Sequence, residues 1–213
     1  PDLTNLLPTI FRKTNHLLVK AAPLLDLQQG LKSLTFVKQV FVIAVENECK
    51  ELLFYCEMNF NGEPTIGATN LSKGSSSVDF KFKFSEERLT TPTYSNPLSF
   101  LYEPTAAILK AGAFKLVGTR FNVNKLHPHT HLYTSDVLQE NFPGRIFRVI
   151  AHVKPKALDN YFPDGKANVT TRNYPLTVKE LRDRTGLKDG GDNYLIGFSG
   201  VEKKYLVVAE KIS

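Results

Sequence analysis

No apolar run in this chain reaches the roughly 18–20 residues that a membrane-spanning helix needs. No charged-then-apolar leader opens it. Cysteine is scarce, and Cys49 and Cys56 alone cannot build a disulfide framework or a four-ligand zinc site. A reducing, cytoplasmic setting without a membrane partner is therefore expected. Methionine occurs once, at Met58, and the first residue is Pro1. Residues 1–18 already read as the middle of a fold: a helix carrying Leu3, Leu6, Leu7, Ile10 and Phe11 runs straight into an apolar strand. The expectation is a piece of a longer protein, with some of its motifs upstream. No internal repeat and no sustained heptad pattern occurs. Neither does a Ser-His-Asp arrangement, a carboxylate pair or a zinc-protease helix, so no residue here is expected to be catalytic.

What is present is ordinary globular composition: 213 residues, 42% hydrophobic and 23% charged, enough for one or two domains. The net charge of +6 is unevenly placed. Residues 1–141 hold 14 Lys+Arg against 13 Asp+Glu, and residues 142–213 hold 13 against 8. A basic excess confined to one segment suits a polyanion partner such as nucleic acid; the plainer reading is a solvated basic surface.

The first 58 residues alternate helix and strand. Leu17–Ala22 is a short apolar run, and Asp26 can cap a helix that places Leu27, Leu31 and Leu34 on one face. Val37–Val45 and Leu52–Cys56 are strands around the turn Glu46-Asn47-Glu48. This is the closing part of an α/β sheet with a reversed last strand. Residues 59–77 read as loop from their Gly, Pro, Ser and Asn. Val78–Phe84 alternates as a half-exposed strand, and Thr90–Pro97 is a linker. Residues 97–141 read as a compact insert, with a helix over Thr105–Ala111 stopped by Gly112 and a second helix over Lys115–Phe121.

Residues 142–213 predict strand Arg145–Val153, helix Pro155–Tyr161, strand Ala167–Arg172 and helix Leu176–Thr185. Strands Tyr194–Ser199 and Tyr205–Glu210 follow, joined at Gly200. The helix at Leu176 has a complete entry signature: Thr177 as N-cap, Glu180 three residues on, and Leu176 with Leu181 as a hydrophobic staple.

Four constellations invite chemistry. His127, His129 and His131 recur at period two, which suits a metal, although Pro128 and Thr130 between them suit a loop bonded to backbone. Cys49 and Cys56 read as small buried hydrophobes. Lys188-Asp189-Gly190-Gly191-Asp192 reads as a helix-to-strand turn with positive φ, or as a backbone nest for phosphate. Arg145, Arg148, Lys154, Lys156, Arg172, Lys179, Arg182 and Arg184, with Tyr174 nearby, suit phosphates and a stacked base. Against this, Glu180–Arg184 and Lys179–Asp183 make ordinary i,i+4 pairs on a solvated face.

Several stretches together carry a resemblance: Leu18–Asp26, Glu46–Leu53, Phe114–Phe121 with Leu126-His127-Pro128, and Thr171–Leu176 with Lys188–Asp192. The chain resembles the C-terminal part of a bacterial family of class I S-adenosylmethionine-dependent methyltransferases that end in a THUMP-like domain. The resemblance implies an α/β and α+β chain. Residues 1–96 hold the closing strands of a truncated Rossmann-like methyltransferase sheet plus a linker, residues 97–141 a small ferredoxin-like insert, and residues 142–213 a β-α-β-α-β-β THUMP-like domain. It implies a substrate-recognition fragment of an RNA methyltransferase, inactive alone, with tRNA or rRNA and the upstream methyltransferase half as partners. Arg148, Lys154, Lys156, Arg172, Lys179 and Arg182 are the expected phosphate contacts. S-adenosylmethionine is expected in the full-length parent only, because the glycine-rich loop, its acidic ribose partner and the Asp-Pro-Pro-type stretch are missing. The alternative is a structural or protein-interaction module that completes the catalytic domain and binds no nucleic acid.

Overall fold

The computed structural model describes residues 3–73, 78–155 and 158–212. They divide into two units: residues 1–90 with 105–114, and residues 91–104 with 115–213.

The first unit contains α1 (Leu3–Phe11), β1 (His16–Ala21), α2 (Leu27–Ser33), β2 (Val37–Val45), β3 (Glu48–Glu57), β4 (Thr65–Leu71), β5 (Val78–Phe82), α3 (Phe84–Leu89) and α4 (Ala106–Ala111). Its sheet has the order β1-β3-β2-β4-β5. Because β3 is antiparallel to both β1 and β2, those two strands run the same way with the reversed strand between them. β4 is parallel to β2, and β5 is antiparallel to β4. Strict alternation puts Val40, Val42 and Ala44 of β2 beside Leu52, Phe54 and Cys56 of β3, all fully buried. α4 packs over β2, β3 and β4 on this unit. Asp26 caps α2 as expected, accepting the Gln29 N–H at 2.9 Å.

Two expectations are corrected here. Residues 59–77 are not all loop, since Thr65–Leu71 is a strand with Ile66, Gly67 and Ala68 buried. Small residues that look like turn formers become buried sheet because α4 and β2 cover them. The run expected to continue to Phe84 ends at Phe82, and Phe84 opens α3, whose Glu86 carboxylate returns to the Lys83 N–H.

The second unit contains β6 (Phe100–Pro104), α5 (Leu116–Arg120), β7 (Asn124–His127), β8 (Thr130–Ser135), β9 (Gly144–His152), β10 (Lys166–Arg172), α6 (Val178–Thr185), β11 (Lys188–Ser199) and β12 (Lys204–Lys211). All nine of its segments but the two helices join one sheet, ordered β10-β11-β12-β9-β6-β8-β7. The stretch expected as a separate insert thus gives β6, β7 and β8 to this sheet, and α4 to the first unit. β9 continues the ladder directly from β6, with Pro104 opposite Gly144. A methyl group at Gly144 would overlap the Glu103 carbonyl, so only glycine allows this approach.

The sheet has a core on each face. On one, Leu126 and Leu132 of β7 and β8 pack with Phe147, Ile196, Phe198 and Val207. Strands at opposite ends of the ladder therefore meet, and the sheet curls over its own interior; the Thr130 hydroxyl donates to the Ser199 carbonyl at 2.7 Å. On the other face, Leu181 of α6 packs with Val169, Leu195, Leu206 and Val208. Leu158 and Phe162 complete that layer.

Leu158 lies where a helix was expected over Pro155–Tyr161, and Phe162 just beyond it. Lys156 and Ala157 fall outside the described residues, and the rest is turn, closed by Gly165 N–H to the Phe162 carbonyl at 2.9 Å. The described order is accordingly β-β-α-β-β, with one helix fewer than expected. Thr177 caps α6 through the full capping box. No helix among the described residues is long and apolar enough to cross a membrane.

Candidate nucleic-acid interface

The described members of the six expected phosphate contacts fall into an exposed group and an already engaged group. Arg148 stands on β9 opposite Glu210 of β12, 3.9 Å from its carboxylate, with both side chains more than half exposed (57% and 56%). An exposed pair at that distance is weak, so Arg148 remains available. Lys154 is exposed just beyond β9. Lys156 lies outside the described residues. Lys179 is exposed on α6.

Arg172 and Arg182 are already engaged. Arg172 donates from Nε to one oxygen of buried Glu103, and from Nη1 to Thr170 Oγ1 at 3.0 Å and the Thr171 carbonyl at 2.7 Å. Arg145 takes the other Glu103 oxygen. One carboxylate thus holds guanidinium groups from β9 and β10, on the sheet face away from α6. Arg182 pairs with Asp189 of β11. The expected Glu180–Arg184 contact is replaced by the cap, because Glu180 accepts from the Thr177 N–H at 2.8 Å and hydroxyl at 2.9 Å. These bonds, with Arg184 acting at longer range, hold the Glu180 carboxyl below its ordinary range.

The histidine run surrounds a cation of its own. Lys125, buried at 1% exposure, donates to the carbonyls of His127, Pro128 and Thr130 at 2.8–2.9 Å. His131 Nδ1 lies 3.4 Å from the same ammonium. Burial, then the Lys125 charge, pushes His131 down to about 4. His127 Nδ1 accepts the His129 N–H at 3.0 Å. The loop is bonded to backbone as the intervening Pro128 and Thr130 suggested: among the described residues no three ligating side chains converge, and an ammonium fills the centre of the loop.

Gly190 and Gly191 do take positive φ, but inside β11 instead of in a turn before it. The β10–β11 register slips between Ala167 and Asn168, and the Asn168 amide donates to the Gly191 carbonyl at 2.6 Å. The loops after β1 and β2, Ala22-Pro23-Leu24-Leu25 and Glu46-Asn47, contain no glycine-rich turn. Cys49 and Cys56 are free thiols, and burial raises Cys56 to about 11.

What the fold does assemble lies around Arg148. A shallow groove of ≈ 530 Å³ is lined by Ser99, Phe100, Asp136, Arg148, Val149 and His152. Phe100 and Arg148 are register partners on β6 and β9. Ser99 Oγ donates to Asp136 Oδ1 at 2.9 Å. His152 packs edge-on against Tyr205 at 6.0 Å, and the Lys203 ammonium lies over the same ring at 5.3 Å. Burial first, then Lys203, keeps His152 below its ordinary pKa and so neutral at pH 7. The groove thus brings together the Phe100 ring, one carboxylate, an imidazole and the Arg148 guanidinium, with the Lys203 ammonium beside the His152–Tyr205 pair.

Of these, only Arg148 was expected. His152 arrives through a bulge: Val208 pairs with Ala151 and Ala209 with Val149, which leaves Ile150 unpaired. The extra residue turns His152 toward Tyr205, and no local pattern announces that.

Known proteins place these observations. A ferredoxin-like domain family matches residues 100–143, and a THUMP domain-like family matches residues 144–211. The crystal structure of a putative methyltransferase from Porphyromonas gingivalis W83 is similar at a TM-score of 0.91 and 35% sequence identity. The match covers 100% of this chain and 55% of that chain. No curated protein matches significantly. The curled sheet of the second unit therefore runs from a ferredoxin-like domain into a THUMP-like domain.

Proposed function

We propose that this chain is the substrate-recognition part of an S-adenosylmethionine-dependent RNA methyltransferase, inactive by itself, with the cofactor held by a separate part of a longer protein. The observation that carries the reading is the open groove around Arg148, with Lys203 over the neighbouring Tyr205 ring, in the unit that contains the THUMP-like match. The first unit supports it too. A reversed strand between two parallel ones, β1-β3-β2, is how a Rossmann-like methyltransferase sheet closes. A 55% share of the similar structure's chain leaves room for the cofactor-binding strands elsewhere.

The test is titration of the chain against a folded tRNA at low and physiological salt. Binding should weaken steeply with salt, and Arg148→Ala should reduce the salt slope by about 0.7–0.9, the value for one phosphate contact. Arg172→Ala should leave the slope unchanged in whatever fraction stays folded, because Glu103 already holds that guanidinium. Absence of binding at low salt overturns the reading.

A second reading has its own support. Arg148, Arg172 and Arg182 each face an acidic partner, as a scaffold without nucleic acid requires. It becomes the better account if no RNA binds.

A further inference from the structure

We propose that the groove beside Arg148 is a pocket for one unstacked RNA base that carries an exocyclic amino group. This rests on the RNA reading above and adds what the groove selects.

The walls divide the work. Phe100 and Arg148 lie opposite each other across the β6–β9 ladder, so an aromatic ring and a guanidinium plane are offered side by side to a flat π-system. Single-stranded RNA is gripped in this way, by stacking on aromatic and arginine planes. Lys203 lies over the Tyr205 ring that packs against His152, where it can meet a sugar-phosphate chain.

Asp136 sets the choice. One oxygen accepts from the Ser99 hydroxyl at 2.9 Å and the Ser99 N–H at 3.4 Å, which fixes the carboxylate against β6. A carboxylate only accepts hydrogen bonds. It therefore favours an edge that presents N–H₂ donors, as in cytosine, adenine or guanine. It disfavours uracil, whose single N–H is flanked by two carbonyl oxygens that face the same negative charge. His152 is neutral at pH 7 and can donate or accept without weakening this selection.

The experiment uses the whole chain and four labelled oligoribonucleotides of equal length: oligo-C, oligo-A, oligo-U and an abasic ribose-phosphate strand. Binding is read by fluorescence anisotropy at low salt. Oligo-C and oligo-A should bind at least tenfold more tightly than oligo-U and the abasic strand. Asp136→Asn keeps the side-chain shape and should erase the difference between oligo-C and oligo-U. Phe100→Ala should reduce all base-bearing strands toward the abasic value, with circular dichroism confirming the fold. Equal affinity for all four strands overturns the base pocket and leaves RNA binding standing. Failure of every strand to bind overturns the RNA reading and this proposal together.

Discussion

Replacing Lys125 by methionine tests whether an internal ammonium organises the histidine loop. Methionine keeps the length of the side chain and removes its three donors. The Thr130 carbonyl is buried, while those of His127 and Pro128 are partly open and can recover water. One stranded buried acceptor costs about 1–3 kcal/mol, and the two others add less. Relief from burying a charge offsets part of this. The expected loss is about 2–4 kcal/mol. Urea unfolding followed by tyrosine fluorescence suits the measurement, because the chain has no tryptophan and seven of its eight tyrosines lie in the second unit.

The pH dependence adds a second readout. His131 sits near 4 when folded and near its ordinary 6.5 when unfolded, so its contribution is present above about 6.5 and is lost as pH falls toward 4. Over that window the wild-type chain should lose up to about 3 kcal/mol. Removing the Lys125 charge raises the folded His131 value, so the variant's acid slope should be shallower. A loss under about 1 kcal/mol at pH 7, or an unchanged acid slope, would refute the argument.

Glu103→Gln leaves Arg145 and Arg172 facing a neutral amide; since both arginines are about one-third exposed (32% and 37%), the urea midpoint should fall by the equivalent of about 2–4 kcal/mol. Thr177→Ala removes the cap of α6 and should reduce stability by about 1 kcal/mol, with helix loss visible by circular dichroism. Cys56, buried and raised to about 11, should resist iodoacetamide at pH 8 in the native chain and react once the first unit unfolds, as read by mass spectrometry.

How much of this was legible depended on the range of the interaction. The α6 entry was readable because Thr177, Glu180, Leu176 and Leu181 lie within six consecutive positions and the capping box is local chemistry. The strands of the first unit were readable wherever large apolar residues alternate, as at Val40, Val42, Leu52 and Phe54. β4 was not, because its glycine, alanine and asparagine acquire strand character only under α4 and beside β2. Among the cations, sequence gave residue type without partner. Arg172 is 69 residues from Glu103, so nothing near it indicated that it was already bound. Asp136 and His152 carried no signal at all, one reaching the groove across the sheet and the other through a bulge.

The path of the chain between its two units bears on how it is made. A ribosome releases β6 of the second unit before α4, the helix that covers β2, β3 and β4 of the first. The first unit's sheet therefore waits, with its small-residue strand uncovered, until residue 114 has emerged, and by then the next unit has already begun. Synthesis from the N-terminus ordinarily lets one domain finish before the next starts. Here the two are interleaved in time, and a nascent chain stalled shortly before α4 exposes an apolar face that invites chaperones or aggregation.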